Sequence, residues 1–118
     1  MENTHIHSSF DNDLNKLNDN LLKLGNTAIE QFDNCINNFG TQDLEEIEKV
    51  VDGDIILDDL DDKVQKLGFE IIALRAPQAA DLRRIIVTLK IATIFERIGD
   101  YSRTVSYTHL TLPTICSV

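Results

Sequence analysis

Four carboxylates stand at spacings that would place them on two helical faces: Asp54 with Asp58, and Glu96 with Asp100. Members of each pair are one helical turn apart, so they lie one above the other. A carboxylate in or beside an apolar core must be protonated, paired with a base, or bound to a cation. Convergent oxygens suit hard ions such as Mg²⁺, Ca²⁺, Mn²⁺ and oxidised iron. Shared carboxylates would admit more than one ion. Lys90, Arg97 and Arg103 are the bases that could compete. Spacing alone leaves a bound cation and a salt-bridged or water-filled polar layer equally open.

Both pairs need long helices to carry them. Leu82, Ile86, Leu89 and Thr93 recur at helical steps, and the same stripe runs on into Glu96 and Asp100. Upstream, Ile47 and Val51 lead into Asp54 and Asp58, with Asp61 near the edge, and Leu57, Leu60, Val64, Leu67, Ile71 and Leu74 form a second stripe. Ten acidic residues fall between Asp43 and Asp62 against one Lys, and most of them read as a solvated face. The pattern predicts a helix from Thr41 or Asp43, with Glu46 strengthening its start, to Arg75, with a weak point at Gly53. Ala76-Pro77 ends it, and the next helix runs from Pro77 or Gln78 to Arg103 or Val105. Folded back at Ala76, Asp58 lies 18 residues before the turn and Glu96 lies 20 after it. Asp54 lies 22 before and Asp100 lies 24 after. Equal rise brings the two pairs to matching heights, within ~3 Å.

Residues 6–39 read as a further helix. Phe10, Leu14, Leu17, Leu21, Leu24 and Ala28 alternate four- and three-residue steps, extended by Phe32, Cys35, Ile36 and Phe39. Ser8 or Ser9 would cap it and Gly40 would stop it. No strand pattern or internal repeat is visible. The expected fold is all-α, an antiparallel three-helix bundle over residues 1–106. From Tyr107 the chain turns Thr-rich with Pro113, so residues 107–118 are expected to be unstructured, a non-native addition or a disordered end.

Composition narrows the partners. In 118 residues, 42% are hydrophobic and the net charge is −9, from 20 acidic and 11 basic side chains. One folded domain is expected. The charge disfavours nucleic acid and anionic membrane surfaces, and favours cations and basic proteins. MENTHIHSSF lacks the features of a secretory signal, and no run is long and apolar enough to span a membrane. Cys35 and Cys116 stand far apart outside any CxxC pattern, as reduced thiols of a cytoplasmic protein would.

Enzymatic readings find little support. Ferritin-like di-iron helices place His three residues after Glu, but position 99 is Gly, and His5, His7 and His109 lie away from the acidic residues. No nucleophile–base motif or glycine-rich phosphate loop occurs. Gly99 either admits a close approach of backbone or metal or is a packing glycine. Arg83, Lys90 and Arg97, spaced by seven, are expected to bridge to the acidic neighbouring helix, with a partner-docking strip as the alternative.

The run ALRAPQAADLRRIIVTLKIATIFERIGDYS and the segment GDIILDDLDDKV closely resemble the motifs of the PhoU family of phosphate-transport accessory and phosphate-signalling proteins. The likeness covers about residues 6–105, the first of the two three-helix repeats usual in that family. It implies a cytoplasmic regulator, often homodimeric and not an enzyme. Such a regulator restrains the phosphate-starvation response by contacting a membrane-bound sensor histidine kinase and the ATPase subunit of the phosphate transporter. It touches the membrane only through those partners. The resemblance also implies an iron or zinc cluster, or another hard cation such as Mg or Mn, on Asp54, Asp58, Glu96 and Asp100. Ile94 departs from the pattern, since many relatives carry an acidic residue there, which implies fewer ligands. Two rivals are a metal-dependent enzyme acting on a phosphorylated substrate and a metal-free helical scaffold.

Overall fold

A computed structural model describes the backbone of residues 2–39 and 44–116, and the side chains of 9–39, 44, 45 and 47–108. Three helices make up the chain: α1 (Glu2–Asn37), α2 (Leu44–Arg75) and α3 (Ala79–Cys116). Each packs against both others, forming a rod 72 × 21 × 16 Å. The fold is the all-α three-helix bundle that periodicity predicts. Gly40, Thr41 and Asp43, and the side chains of Ser8 and Glu46, fall outside the described residues.

α1 starts earlier than the sequence suggests and α3 ends later, carrying residues 107–116 into the helix where an unstructured tail was expected. Extending an existing helix fixes one residue per hydrogen bond, whereas starting one fixes a whole turn. The Thr-rich stretch therefore continues α3 although it would not nucleate a helix.

Leu14, Leu17, Leu24 and Ala28 of α1 meet Leu57, Val64 and Ile71 of α2 and Ile85 and Ala92 of α3 in one core. Its phase differs from a single stripe. On α3 the buried line is Ile85, Thr88 and Ala92, whereas Ile86 and Thr93 are exposed and Leu82 and Leu89 half-buried. A helix with two neighbours buries a broad arc between two seams. The Leu82–Asp100 stripe is the edge of that arc facing α2, as Gln65 shows by donating to Leu89 O at 3.2 Å. Leu44, Leu74, Phe32, Ile36 and Phe39 extend the apolar pattern in sequence yet are exposed.

Gln31 takes a core position instead. It is buried, and its Nε2 donates to Val50 O at 2.6 Å. α2 runs unbroken through Gly53, where a Cβ would collide with the Gln31 amide. Arg75 Nε pairs with Asp13 Oδ2 at 3.3 Å and ties the far end of α2 to α1.

The α2–α3 connection turns at Ala76, whose φ of 43° is left-handed and whose N–H donates to Ile72 O at 3.1 Å. A Cβ in that conformation costs ~1–2 kcal/mol, more than the extra chain entropy of glycine. Ala76→Gly is expected to raise the melting temperature by about 3 °C in a thermal scan.

Candidate metal centre

Asp54 sits where α2 passes between its two neighbours and is 3% exposed, whereas Asp58, one turn later, faces solvent. Asp100 comes from α3 and is half-buried. One carboxylate oxygen from each of Asp54, Asp58 and Asp100 lies within 4.8 Å of the other two. Glu96 is half-buried beside this trio, one turn along α3, with its carboxyl against those of Asp58 and Asp100. The height argument thus places all four carboxylates in one α2–α3 groove, three converging on a point and Glu96 adjoining them.

Gly99 makes that closeness possible. A Cβ at this position would collide with Leu57 Cδ1 and lie 3.5 Å from Asp54 Oδ1. Leu57 is fully buried, so its side chain could move only by displacing the core around it. Gly99 is thus a packing glycine, its bare Cα set against the Leu57 side chain.

Arg103 supplies the counter-charge. Its Nη1 stands 3.2 Å from Asp54 Oδ2, and its Nη2 3.9 Å from Asp100 Oδ1. Three residues beyond Asp100 and seven beyond Glu96, it shares their edge of α3, and that spacing could have singled it out. Arg83, Lys90 and Arg97 do not bridge to α2. All three are exposed and have no ion-pair partner among the described residues. Their heptad lies on the solvent-facing side of α3, opposite the buried line of Ile85, Thr88 and Ala92.

One guanidinium does not balance the cluster. Burial raises the Asp54 carboxyl above its usual range, opposed by Arg103 and reinforced by Asp58 and Asp100. Glu96 is pushed up to about 7, first by burial and then by the carboxyls of Asp58 and Asp100. Asp61, one layer on, is also raised, chiefly by burial, while Gln65 Nε2 donates to its Oδ1 at 3.2 Å. Asp54 Oδ1 is buried with no hydrogen-bond partner among the described residues.

These features fit a cation. Oxygens bound to one hard ion at ~2.0–2.6 Å are at most ~5 Å apart, the spread found here. The orphaned Asp54 oxygen would gain a ligand, and the excess negative charge would be offset. An all-oxygen donor set suits Mg, Mn or oxidised iron better than zinc, which favours nitrogen and sulfur.

Residues 21–108, which contain the whole acidic groove, match the PhoU domain model. The chain belongs to the PhoU domain family. Similar PhoU proteins include a phosphate-specific transport system accessory protein PhoU homolog of Xylella fastidiosa (strain Temecula1), 33% identical over 96% of this chain and 47% of its own length. The Clostridium acetobutylicum homolog is 35% identical over 79% of this chain and 43% of its own. PhoU of Escherichia coli K12 is 29% identical over 92% and 45%. The chain therefore spans about half the length of the PhoU relatives it matches. No helix among its described residues is long and apolar enough to cross a membrane.

Proposed function

We propose that this PhoU domain is a regulatory binding module of phosphate homeostasis, restraining the phosphate-starvation response and phosphate uptake. It acts in the cytoplasm as a homodimer, without catalysing a reaction, by docking on a sensor histidine kinase and on the ATPase subunit of the phosphate transporter. Its relatives' names as accessory proteins of phosphate-specific transport support this role. Asp54, Asp58, Glu96 and Asp100 hold the cation, which neutralises the groove and cross-links α2 to α3. The observation that carries the metal reading is the meeting of Asp54, Asp58 and Asp100 around a buried, unpartnered Asp54 oxygen.

Two measurements test it. Elemental analysis of the purified chain should find at least one equivalent of iron or another hard metal, lost in Glu96→Ala/Asp100→Ala; equal content in both would remove the site. In cells lacking their own PhoU protein, the chain should lower a phosphate-starvation reporter several-fold. An unchanged reporter would count against the regulatory role.

A further inference from the structure

Arg103 enters the acidic groove from its rim. It follows Asp100 by one turn of α3, and its side chain is 43% exposed, so water screens its charge in part. Nη1 stands 3.2 Å from Asp54 Oδ2 and Nη2 3.9 Å from Asp100 Oδ1, so one guanidinium spans carboxylates of two helices. The other oxygen of Asp54, Oδ1, is buried and has no hydrogen-bond partner among the described residues. The two oxygens of this carboxylate therefore have different tasks. Oδ2 is held by a base, and Oδ1 is left for an ion. An ion on Oδ1 and the guanidinium on Oδ2 share Asp54 without contending for one atom. Carboxylates that ligate a metal are ordinarily held by such a hydrogen-bonding neighbour.

We infer that Arg103 is a specificity-determining residue of the cation site: it stays beside the bound ion and selects divalent over trivalent ions by its fixed charge. The inference rests on the cation reading above and narrows it. Arg103 acts on an incoming ion in two ways. Holding Asp54 and Asp100 in place assists every ion alike. Repulsion, by contrast, grows with the charge of the ion. The first effect cancels in the ratio of two affinities, and the second does not. A guanidinium is protonated at every working pH, so the filter is always present. A unit charge one carboxylate away, in a groove open to water on one side, changes affinity by about tenfold per unit of ion charge. Mg²⁺ and Mn²⁺ are thereby favoured over oxidised iron, a choice that oxygen donors alone do not make.

Titration calorimetry of the purified chain with Mn²⁺ and with Tb³⁺, a trivalent probe that seeks oxygen ligands, measures this ratio. Arg103→Gln keeps a hydrogen-bond donor and removes the charge. It should shift the relative affinity about tenfold toward Tb³⁺. Arg103→Lys keeps the charge without the planar fork, and its ratio should stay within about twofold of the wild type although both affinities fall. Arg103 stands at the rim, so neither change disturbs the core, and circular dichroism checks the helicity of each variant. A ratio unmoved by Arg103→Gln would overturn the charge filter. An equal shift in Arg103→Lys, or loss of both ions from Arg103→Gln alone, would overturn it too, by making Arg103 a clamp. A wild type that binds neither ion would instead remove the cation site itself.

Discussion

Stripped of metal, the Glu96→Gln variant is expected to be more stable than the wild type at pH 8 by about 2 kcal/mol once solvent screening of this half-buried group is allowed for, or about 8 °C in melting temperature. The folded-state pKa of Glu96 is raised from 4.5 to about 7. For an acid whose folded value is raised, the favourable contribution is complete below the unfolded value and is lost as pH rises through the folded one. Wild-type stability should therefore fall between about pH 4.5 and 7 as Glu96 ionises against Asp58 and Asp100. A glutamine amide stays neutral and can donate to both carboxylates, so the variant should lack most of that slope. A shallow slope should remain from Asp54 and Asp61, whose carboxyls are raised in the same direction. Chemical denaturation from pH 5 to 8 with chelator present measures this directly. Wild-type stability that climbs across the window would show the groove to be adequately neutralised by Arg103. Adding a divalent cation at pH 8 should restore the wild type and do less for Glu96→Gln.

Gly99→Val should destabilise the protein by about 3 kcal/mol, lowering its melting temperature by about 12 °C. The first added carbon collides with the fully buried Leu57, so α3 must retreat from α2. The carboxylates separate with it, and metal content should fall although no ligand has changed. A compensating variant checks the mechanism. Leu57→Ala alone should cost about 2–4 kcal/mol through its cavity. The double variant should cost at least ~1 kcal/mol less than the sum, because the valine fills the space vacated. Strict additivity would show that the loss at Gly99 arises elsewhere.

Much of this site is legible in the sequence because helices convert residue number into height. The Ala76-Pro77 turn fixes the zero, and 1.5 Å per residue then sets Asp54 against Asp100 and Asp58 against Glu96. Angle around the helix is harder to read. Asp54 and Asp58 share a stripe, yet one is buried and the other exposed, because burial depends on where α1 closes over the groove. Gln31 was missed because it is polar, although it continues the Leu17–Leu24 heptad and so had a core phase. Phe32 was misplaced for the converse reason: its side chain suggested the core, but its position belongs to the open α1–α3 face. The end of α3 was hidden because local propensity describes starting a helix, not prolonging one.

The Gln31 amide does more than fill space. Val50 O, which it grips, is the carbonyl that in an α-helix also accepts the N–H of Asp54, four residues on. α1 thus holds the same peptide oxygen that sets the pitch of the turn presenting the buried carboxylate. Gln31→Leu would leave the turn that presents Asp54 held by α2 alone.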